Sequence, residues 1–419
     1  MAIFAEVLVQ AWLAVRRNPL RSFLTMLGIT WGIASVTLLM AYGSGFRRVL
    51  VAGFDAFGKS AVIARPGQTS MQAGGERSGR RIRFEQSDLD ALRVEGALIK
   101  QVSLETMARP SVSYGDKIAS QCTRGVMPDY GDIRNERPSE GRWLTEEDQA
   151  EARRVAFIGS KARLKFFGNR SAVGETIRIG GLRFVIVGAM ETKFQLSNYF
   201  SPDDQCLFIP YSTAGQVWNN RYPPVIVFSA VSAQLERQAI KQFREIMGKR
   251  HRFSPLDPRA VTAFGREEFR PIIDGLTIGL ETLLLFIGVL TLGIGGVGLM
   301  NIMLVSVDER VREIGVRRAL GARRSHIRVQ FLAEALVITV IGGAIGVAIS
   351  YGIASAVGTV PMLSALFEDE SGRGDLRLII SAQALLASTA ALLLVGLASG
   401  TIPAFRAANL DPSEALRYE

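Results

Sequence analysis

The sequence of 419 residues contains very few side chains that bind metals through nitrogen or sulfur. It has two histidines, His251 and His326, and two cysteines, Cys122 and Cys206. These are too few for a zinc site built from histidine and cysteine, or for an iron–sulfur cluster. The composition therefore excludes most metal and redox chemistry.

Common enzyme signatures are also missing. The chain has neither the G-x-S-x-G turn of a serine hydrolase nor the H-E-x-x-H helix of a zinc protease. A G-x-G-x-x-G string at Gly293, Gly295 and Gly298 lies inside a long apolar segment with no strand before it, so it does not predict a nucleotide site. We expect no phosphate-binding loop, no catalytic residue and no cofactor bound by this chain.

Charged residues avoid four long segments, although they make up 21% of the chain. Residues 23–42 carry no charge, and residues 282–307, 331–357 and 379–404 contain Glu334 as their only charged residue. At a rise of 1.5 Å per residue, each segment can cross a hydrocarbon core of about 30 Å. The pattern predicts an α-helical integral membrane protein with four transmembrane helices. The first segment is longer than the apolar part of a signal peptide, so we do not expect it to be cleaved.

Arginines orient these helices through the positive-inside rule. Arg16, Arg17 and Arg21 precede the first segment, and residues 308–328 hold seven arginines against three acids. Both regions, and therefore both termini, are predicted to be cytoplasmic. The predicted order is a cytoplasmic amphipathic helix (1–22), helix 1 (23–43), a large extracytoplasmic domain (44–271), helix 2 (272–307), a cytoplasmic coupling helix (308–328), helix 3 (329–357), an extracytoplasmic loop (358–378), helix 4 (379–403) and a cytoplasmic tail (404–419).

The exported block between helices 1 and 2 has the pattern of an α+β domain. Short β-branched runs at 61–64 and 225–228 predict strands, and the adjacent glycines Gly180 and Gly181 predict a hairpin turn. Residues 68–81 are rich in Gly, Ser and Arg with almost nothing to bury, which predicts a mobile loop able to order on a partner.

The exported block also carries the whole net charge of +10, because it holds 35 Lys and Arg against 25 Asp and Glu. Nucleic acid is not expected outside the cell, and no nucleic-acid motif is present. Anionic head groups, an acidic protein and simple solubility remain open as uses of this charge. A disulfide between Cys122 and Cys206 also remains open, because 84 residues separate them and spacing does not reveal pairing.

Small residues recur four apart within three of the apolar segments. G-x-x-x-G pairs let helix backbones approach closely in a membrane, and chance also supplies some of them among 42 glycines. We consider helix packing as their role, with a homodimer seam as a further hypothesis for the first pair. The pairs are Gly28/Gly32, Gly342/Gly346 and Gly396/Gly400.

Residues 308–320, DERVREIGVRRAL, predict a short amphipathic helix that Gly321 can end. Asp308/Arg312 and Glu313/Arg317 have the i,i+4 spacing of favourable ion pairs. Such a rigid, charged connector is what a cytoplasmic subunit needs to grip if it moves the membrane helices. A second handle is the tail, where Asp411, Pro412 and Glu414 have the pattern of a helix start.

Several segments carry recognisable motifs, most densely between Asn301 and Gly346. These include Asn301–Val307, Glu309-Arg310, Arg312–Gly315 and Ala319–Ala322. Further motifs lie at Arg17–Thr25 at the first membrane entry, at Gly141-Arg142-Trp143, Val155–Gly159 and Val173–Ile177 in the exported block, and at Pro403-Ala404 and Asp411–Arg417 near the end. Together these segments resemble the MacB/FtsX family of ABC transporter permeases. MacB itself has a fused ATPase domain, which this sequence does not show, so the resemblance implies a separate ATPase subunit.

The resemblance implies a permease subunit of a type VII ABC transporter in the bacterial inner membrane. ATP and Mg²⁺ would bind to the ATPase, and its closure would reach the exported domain through the membrane helices, a process called mechanotransmission. The cargo would be a drug, a peptide or a lipoprotein. Other partners would be a second permease copy or sister permease and a periplasmic adaptor. The residues expected to couple to the ATPase are Asp308, Glu309, Arg310, Arg312, Glu313, Gly315, Arg317 and Arg318.

Two alternatives remain at this point. The first is a signalling relay of the FtsX kind, in which the same helices drive a cell-wall hydrolase or a sensor. The second is a membrane-anchored enzyme or receptor, which would have no associated ATPase.

Overall fold

The computed structural model describes residues 19–55, 58, 60–195, 199–362, 364, 372, 374–411 and 415. Most of the predicted N-terminal amphipathic helix, together with Pro412 and Glu414, lies outside the described residues. The chain divides into two compact units. The helical unit consists of Met1–Arg48, Gly275–Val360 and Leu376–Glu419, and the mixed unit consists of Val49–Asp274 and Pro361–Asp375.

The α-helices of the described residues are distributed along the whole chain. Their bounds are α1 Pro19–Asp55, α2 Ser87–Glu95, α3 Tyr130–Ile133, α4 Glu146–Ala150, α5 Ser160–Phe167, α6 Tyr211–Val217, α7 Glu236–His251, α8 Arg266–Glu309, α9 Val311–Ala319, α10 Arg324–Val357 and α11 Ala382–Asn409.

Four of these helices, α1, α8, α10 and α11, are long and apolar enough to cross a membrane. The predicted number and placement of membrane helices, one early and three late, are confirmed. All four helices continue past at least one end of the predicted spans. Hydropathy marks where the chain is apolar, and backbone hydrogen bonding continues into polar flanks.

The helical unit has one apolar core, to which each long helix contributes. Ile33 of α1, Leu292 of α8, Phe331 of α10 and Leu392 of α11 are all buried there. Polar side chains satisfy backbone groups between helices, as Thr30 does by donating from Oγ1 to the Gly342 carbonyl oxygen at 3.0 Å. Such contacts stabilise helix packing where water is absent.

The strands of the mixed unit lie within the predicted α+β block. They are β1 Ala61–Pro66, β2 Ile99–Ala108, β3 Ser111–Tyr114, β4 Lys117–Ser120, β5 Thr123–Val126, β6 Pro138–Gly141, β7 Val155–Ile158, β8 Thr176–Ile179, β9 Leu182–Met190, β10 Leu207–Pro210, β11 Val225–Ala230 and β12 Val261–Gly265. Two further short strands, β13 Thr359–Val360 and β14 Leu376–Arg377, pair in the helical unit.

The twelve strands of the mixed unit form one mixed sheet in the order β12-β1-β11-β2-β5-β10-β7-β9-β8-β3-β4, with β6 paired to β9. The predicted β8–β9 hairpin is confirmed, and Gly180 and Gly181 at its turn have φ of +57° and +86°. A turn with two positive φ angles needs residues such as glycine. Helices α2 and α7 cover one part of the sheet through Leu92, Phe228 and Phe243.

Cys122 and Cys206 form a disulfide in this unit, with Cα atoms 4.6 Å apart. They directly precede β5 and β10, which pair in parallel with Leu207 opposite Thr123. The question left open by the sequence is therefore answered by strand pairing, because the sheet brings together two positions that are 84 residues apart. Both cysteines are buried.

Candidate functional site

The connector, residues 308–328, begins with a break between two helices. Arg310 leaves helical geometry at φ −110° and ψ 14°, so Asp308 and Glu309 end α8 and α9 starts at Val311. The predicted helix is therefore shorter at its start than expected. Gly321 follows its end with φ +95°, the positive angle expected of a glycine that ends a helix.

One side of α9 packs against the rest of the helical unit. Val311 and Ile314 are buried, and a Cβ added at Gly315 would lie 2.7 Å from the Ala415 Cβ. Arg318 donates from Nη1 to the carbonyl oxygens of Ala408 at 2.7 Å and Leu410 at 3.2 Å. The last carbonyls of a helix lack partners within it, so Arg318 caps the end of α11.

Ion pairs and hydrogen bonds fix the connector to two more helices. Arg310 lies 3.3 Å from the Glu334 carboxylate of α10. Arg317 donates to Gln330 of α10 at 2.9 Å and to Glu313 at 2.6 Å, so the second predicted i,i+4 pair is present. Asp308 pairs instead with Arg406 of α11 at 3.2 Å, because the break at Arg310 separates Asp308 from α9.

The opposite side of α9 is an exposed ridge, which we call the outer ridge: Arg312, Val316, Ala319 and Leu320. Val316 is 43% exposed and Leu320 is 83% exposed. The predicted coupling set consists of seven charged residues and Gly315, and it does not include these two exposed apolar side chains. The signal was available, since about 100° per residue places Val316 well away from Val311 on the helix surface.

The three glycine pairs all contact neighbouring helices of the same chain. A Cβ added at Gly32 would lie 2.9 Å from Leu292, one at Gly400 would lie 2.7 Å from Ala335, and one at Gly346 would overlap Ile33. The remaining members, Gly28, Gly342 and Gly396, face Gly295, Ile29 and Thr339. The homodimer seam stays a prediction, because these contacts lie within one chain.

Gly295, part of the G-x-G-x-x-G string, is also a packing residue. A Cβ there would lie 2.7 Å from the Gly28 carbonyl oxygen. Close approach of two helices therefore explains this glycine, and its position in the middle of α8 lacks the strand that precedes a dinucleotide site.

One octapeptide, Gly53-Phe54-Asp55-Ala56-Phe57-Gly58-Lys59-Ser60, does match the letters G-x-x-x-x-G-K-[ST] of a phosphate-binding loop. The structural order is wrong for that function, because Gly53–Asp55 ends α1 and the next element is strand β1. A phosphate-binding loop runs from a strand into the N-terminus of a helix. The match therefore does not indicate nucleotide binding.

The mixed unit contains a second notable cluster, the buried ionic cluster, which consists of three basic and three acidic side chains. Arg124 lies 3.0 Å from Glu105 and 3.1 Å from Asp203, and Arg134 lies 2.7 Å from Asp203. Lys193 lies 3.0 Å from Glu136 and 3.3 Å from Asp203. Burying single charges is costly, so each is paired.

Proton binding in this cluster is shifted by burial and by neighbouring charge. Burial raises the pKa of Glu136 to about 8, although Lys193 opposes the shift. Burial also raises the pKa of Glu105. Burial acts the same way on Asp203, but Arg134 and Arg124 outweigh it and hold the pKa of that carboxyl below its usual range. No group of three or more His, Cys, Asp or Glu suited to a metal occurs among the described residues.

Comparison with protein-family models matches residues 22–246 to the MacB-like periplasmic core domain and residues 285–412 to the FtsX-like permease C-terminal domain. A Macrolide export ATP-binding/permease protein MacB from Bdellovibrio bacteriovorus is 32% identical, over 99% of this chain and 62% of its own length. One of the same name from Chlorobaculum tepidum is 33% identical, over 98% of this chain and 61% of its own length.

Among solved structures, the periplasmic region of MacB from Actinobacillus actinomycetemcomitans aligns at 19% identity with a TM-score of 0.41. That alignment covers 54% of this chain and 97% of the other. The chain spans about three fifths of the length of the two curated relatives, and the matched part is their permease part.

Proposed function

Because the chain belongs to the family of MacB-like ABC transporter permeases, with a MacB-like periplasmic core domain and an FtsX-like permease domain, we propose that it couples ATP hydrolysis by a separate ATPase subunit to movement of its exported domain. It is a multi-pass membrane protein, and within its 419 residues there is no nucleotide-binding domain. ATP and Mg²⁺ would bind to the ATPase.

The observation that carries this proposal is the two-sided form of α9. Its inner side is tied to the end of α11 through Arg318, and Arg310, directly before α9, is tied to α10. Its outer ridge presents Val316 and Leu320, which are exposed apolar side chains beside Arg312. Exposed apolar residues next to arginine are typical of a protein interface. A subunit that grips the outer ridge would therefore move two membrane helices.

The arginines of the connector support a cytoplasmic position for it. Seven arginines lie in residues 308–328, and short loops rich in arginine stay on the cytoplasmic side. With four membrane helices, both termini would then also be cytoplasmic. The ATPase and its ATP would lie on the same side as the outer ridge.

We place the exported domain as the output of the machine. The relatives are named for macrolide export, and we propose export of a drug, a peptide or a lipoprotein with a periplasmic adaptor. No central charged residue follows Glu281 in α8 until Asp308, which favours transmission of force over transport of an ion through the helices.

We further propose that two copies, or one copy and a sister permease, assemble through α1. Gly28 and Gly32 of this helix face α8 within the chain, and a different side of the helix exposes Phe23, Leu27 and Trp31 at four-residue spacing. This spacing places the three side chains on one side of a helix. The large outward side chains, and not the glycines, would then form the seam.

The test is recovery of the ATPase with the tagged chain from native membranes in mild detergent. We expect an ATPase to be recovered with the wild-type chain. Val316→Glu/Leu320→Glu should lower the amount of ATPase recovered by about tenfold or more, because two charges would replace apolar contacts buried at the interface. The matched control is Val94→Glu/Ile118→Glu, which alters two exposed apolar residues of the exported domain.

Equal recovery of the ATPase by both double variants would show that the outer ridge does not bind the ATPase. The identity of any extracytoplasmic partner recovered with the wild-type chain distinguishes transport from signalling. An adaptor supports export, and a cell-wall hydrolase would mean that the same movement serves a relay.

A further inference from the structure

The Gly- and Arg-rich segment 68–81 is fastened to the end of α7 and the loop after it. The Asp257 carboxylate accepts hydrogen bonds from the backbone N–H groups of Ser70 at 2.6 Å and Met71 at 2.9 Å. The N–H of Gln68 donates to the Arg259 carbonyl oxygen at 3.1 Å. Arg80 donates to the carbonyl oxygen of His251. These two segments therefore form one continuous surface.

This surface is strongly basic, and we call residues 68–83 together with 249–259 the basic face. It contains two acidic residues, Glu76 and Asp257, against eight basic ones: Arg77, Arg80, Arg81, Arg83, Lys249, Arg250, Arg252 and Arg259. Asp257 is buried and receives backbone hydrogen bonds. Asp88 of α2 also faces the region, and it pairs with Arg250 and His251.

Local structure explains only part of this charge. Lys249 and Arg250 lie in the last turn of α7, where cations are favoured by the helix dipole. Arg80 and Arg250 make the contacts described above. Arg77, Arg81 and Arg83 lie outside any helix and are exposed, so neither a helix dipole nor burial accounts for them.

Exposed apolar and aromatic side chains accompany the arginines. Leu256, which directly precedes Asp257, is 79% exposed. Met71, whose backbone N–H donates to the Asp257 carboxylate, is 45% exposed. The Arg83 guanidinium lies 5.3 Å from the ring centroid of Tyr222, which is itself 41% exposed. Arginine, methionine and tyrosine are enriched in protein interfaces, and lysine is depleted. Seven of the eight basic residues are arginines, the side chain that matches carboxylates in bidentate geometry.

We propose that the basic face binds an acidic segment of a partner protein, with glutamates or aspartates on the arginines and an apolar side chain beside Met71 and Leu256. The exported domain alone carries this inference, and it does not depend on the ATPase. Anionic lipid head groups could pair with the arginines. They would not supply an apolar side chain, placed between carboxylates, to contact Met71 and Leu256.

The experiment uses the full chain in nanodiscs of neutral phosphatidylcholine and fluorescence anisotropy of labelled peptides. One peptide repeats Glu-Glu-Leu and the other, of equal length and charge, repeats Glu-Glu-Gly. We expect the leucine peptide to bind about fivefold more tightly or better, and Arg77→Glu/Arg81→Glu to weaken it by about tenfold or more, which is about 1.4 kcal/mol.

The matched control is Arg178→Glu/Arg183→Glu, which makes the same change of charge on a facing pair of exposed residues of the β8–β9 hairpin. It should change peptide affinity by less than about twofold, because salt screens the charge of residues that do not contact the peptide. Equal weakening by both double variants would show a response to net charge and overturn the proposal.

Two further results would also overturn it. One is equal affinity for the two peptides, since the apolar contact would then be absent. The other is binding of phosphatidylglycerol vesicles that depends on Arg77 and Arg81 when neither peptide binds, because the surface would then recognise lipid.

Discussion

Arg318 joins the connector to the end of the last membrane helix, although the two regions are 90 residues apart in sequence. Its guanidinium donates the hydrogen bonds that the final carbonyls of α11 would otherwise lack. Its neighbours Arg312 and Val316 point away from this contact, as their exposure shows. We therefore propose that Arg318 positions the connector and that the outer ridge contacts the ATPase.

We predict that Arg318→Gln leaves recovery of the ATPase unchanged but lowers the response of the exported domain to ATP. The shorter, uncharged amide cannot reach both carbonyl oxygens with charge-assisted hydrogen bonds, whose loss costs about 1.5–3 kcal/mol. The readout is the nucleotide-dependent distance change described below, measured beside ATPase recovery. If the variant no longer recovered the ATPase, Arg318 would belong to the surface that binds the ATPase.

The raised pKa of Glu136 predicts that the stability of the exported domain depends on pH. Its pKa is about 8 in the folded chain against an ordinary value of 4.5, so the folded state holds a proton that the unfolded state releases. Stability must therefore fall as pH rises from about 4.5 to about 8. Burial of Glu236, which raises its pKa to about 7, adds a second contribution of the same sign.

We predict that Glu136→Gln makes this pH dependence shallower, because glutamine keeps the shape of the protonated carboxyl and does not titrate. The measurement is thermal unfolding of the full chain in detergent, followed by tryptophan fluorescence at acid and mildly alkaline pH. Glu140→Gln, at an exposed position of β6, is the control. A pH dependence identical to that of the wild type would show that Glu136 is ionised when folded.

At the scale of elements, glycine decides how closely α1 and α10 approach. The Cβ of any larger residue at Gly346 would overlap Ile33 and lie 2.6 Å from the Thr30 carbonyl oxygen. Gly352 lies on the same helix, and a Cβ added there would have no heavy atom of the described residues within 4 Å. The two glycines therefore have different roles within one helix.

We predict that Gly346→Leu lowers the free energy of unfolding by about 3 kcal/mol or more, the upper part of the range for overpacking. Gly352→Leu should not lower it, and it should raise it by up to about 1 kcal/mol, because leucine favours a helix interior more than glycine does. Unfolding in detergent by a denaturant titration compares the two variants. If both were tolerated equally, the α1–α10 contact would be looser than the structure shows.

The elements that the sequence predicted well are those with local signals. Uncharged length predicted the four membrane helices, and Gly180-Gly181 predicted the β8–β9 hairpin. Features that depend on distant segments were not predictable. The Cys122–Cys206 bridge follows from pairing of β5 with β10, and segment 68–81, expected to be mobile, is held by Asp257 from 186 or more residues away.

The connector shows the same limit within the candidate site. The amphipathic pattern predicted a helix, but the partners of its charged residues could not be read from local spacing. Asp308 pairs with Arg406 and Arg310 with Glu334, both from other helices. The prediction also left out Val316 and Leu320, which are exposed in the structure, because it gave weight to charge and not to apolar side chains.

At the scale of the whole molecule, the proposed function needs an input that binds the ATPase and an output that moves. We propose the outer ridge of α9 as the input and the exported domain, whose strands form one sheet, as the output. In this proposal the long helices transmit force between them, since coupling between distant sites can be carried by rigid secondary-structure elements with two discrete arrangements. Movement of the exported domain on ATP binding is the central claim.

The measurement that tests this claim most directly is the distance between two copies of the exported domain in the purified complex with its ATPase. Asp116→Cys, at the exposed β3–β4 turn, carries a spin label, and both native cysteines are already bridged. Electron–electron double resonance then compares the ADP state with the state trapped by a non-hydrolysable ATP analogue. We predict two clearly different distance distributions; one unchanged distribution in a complex that hydrolyses ATP would contradict mechanotransmission.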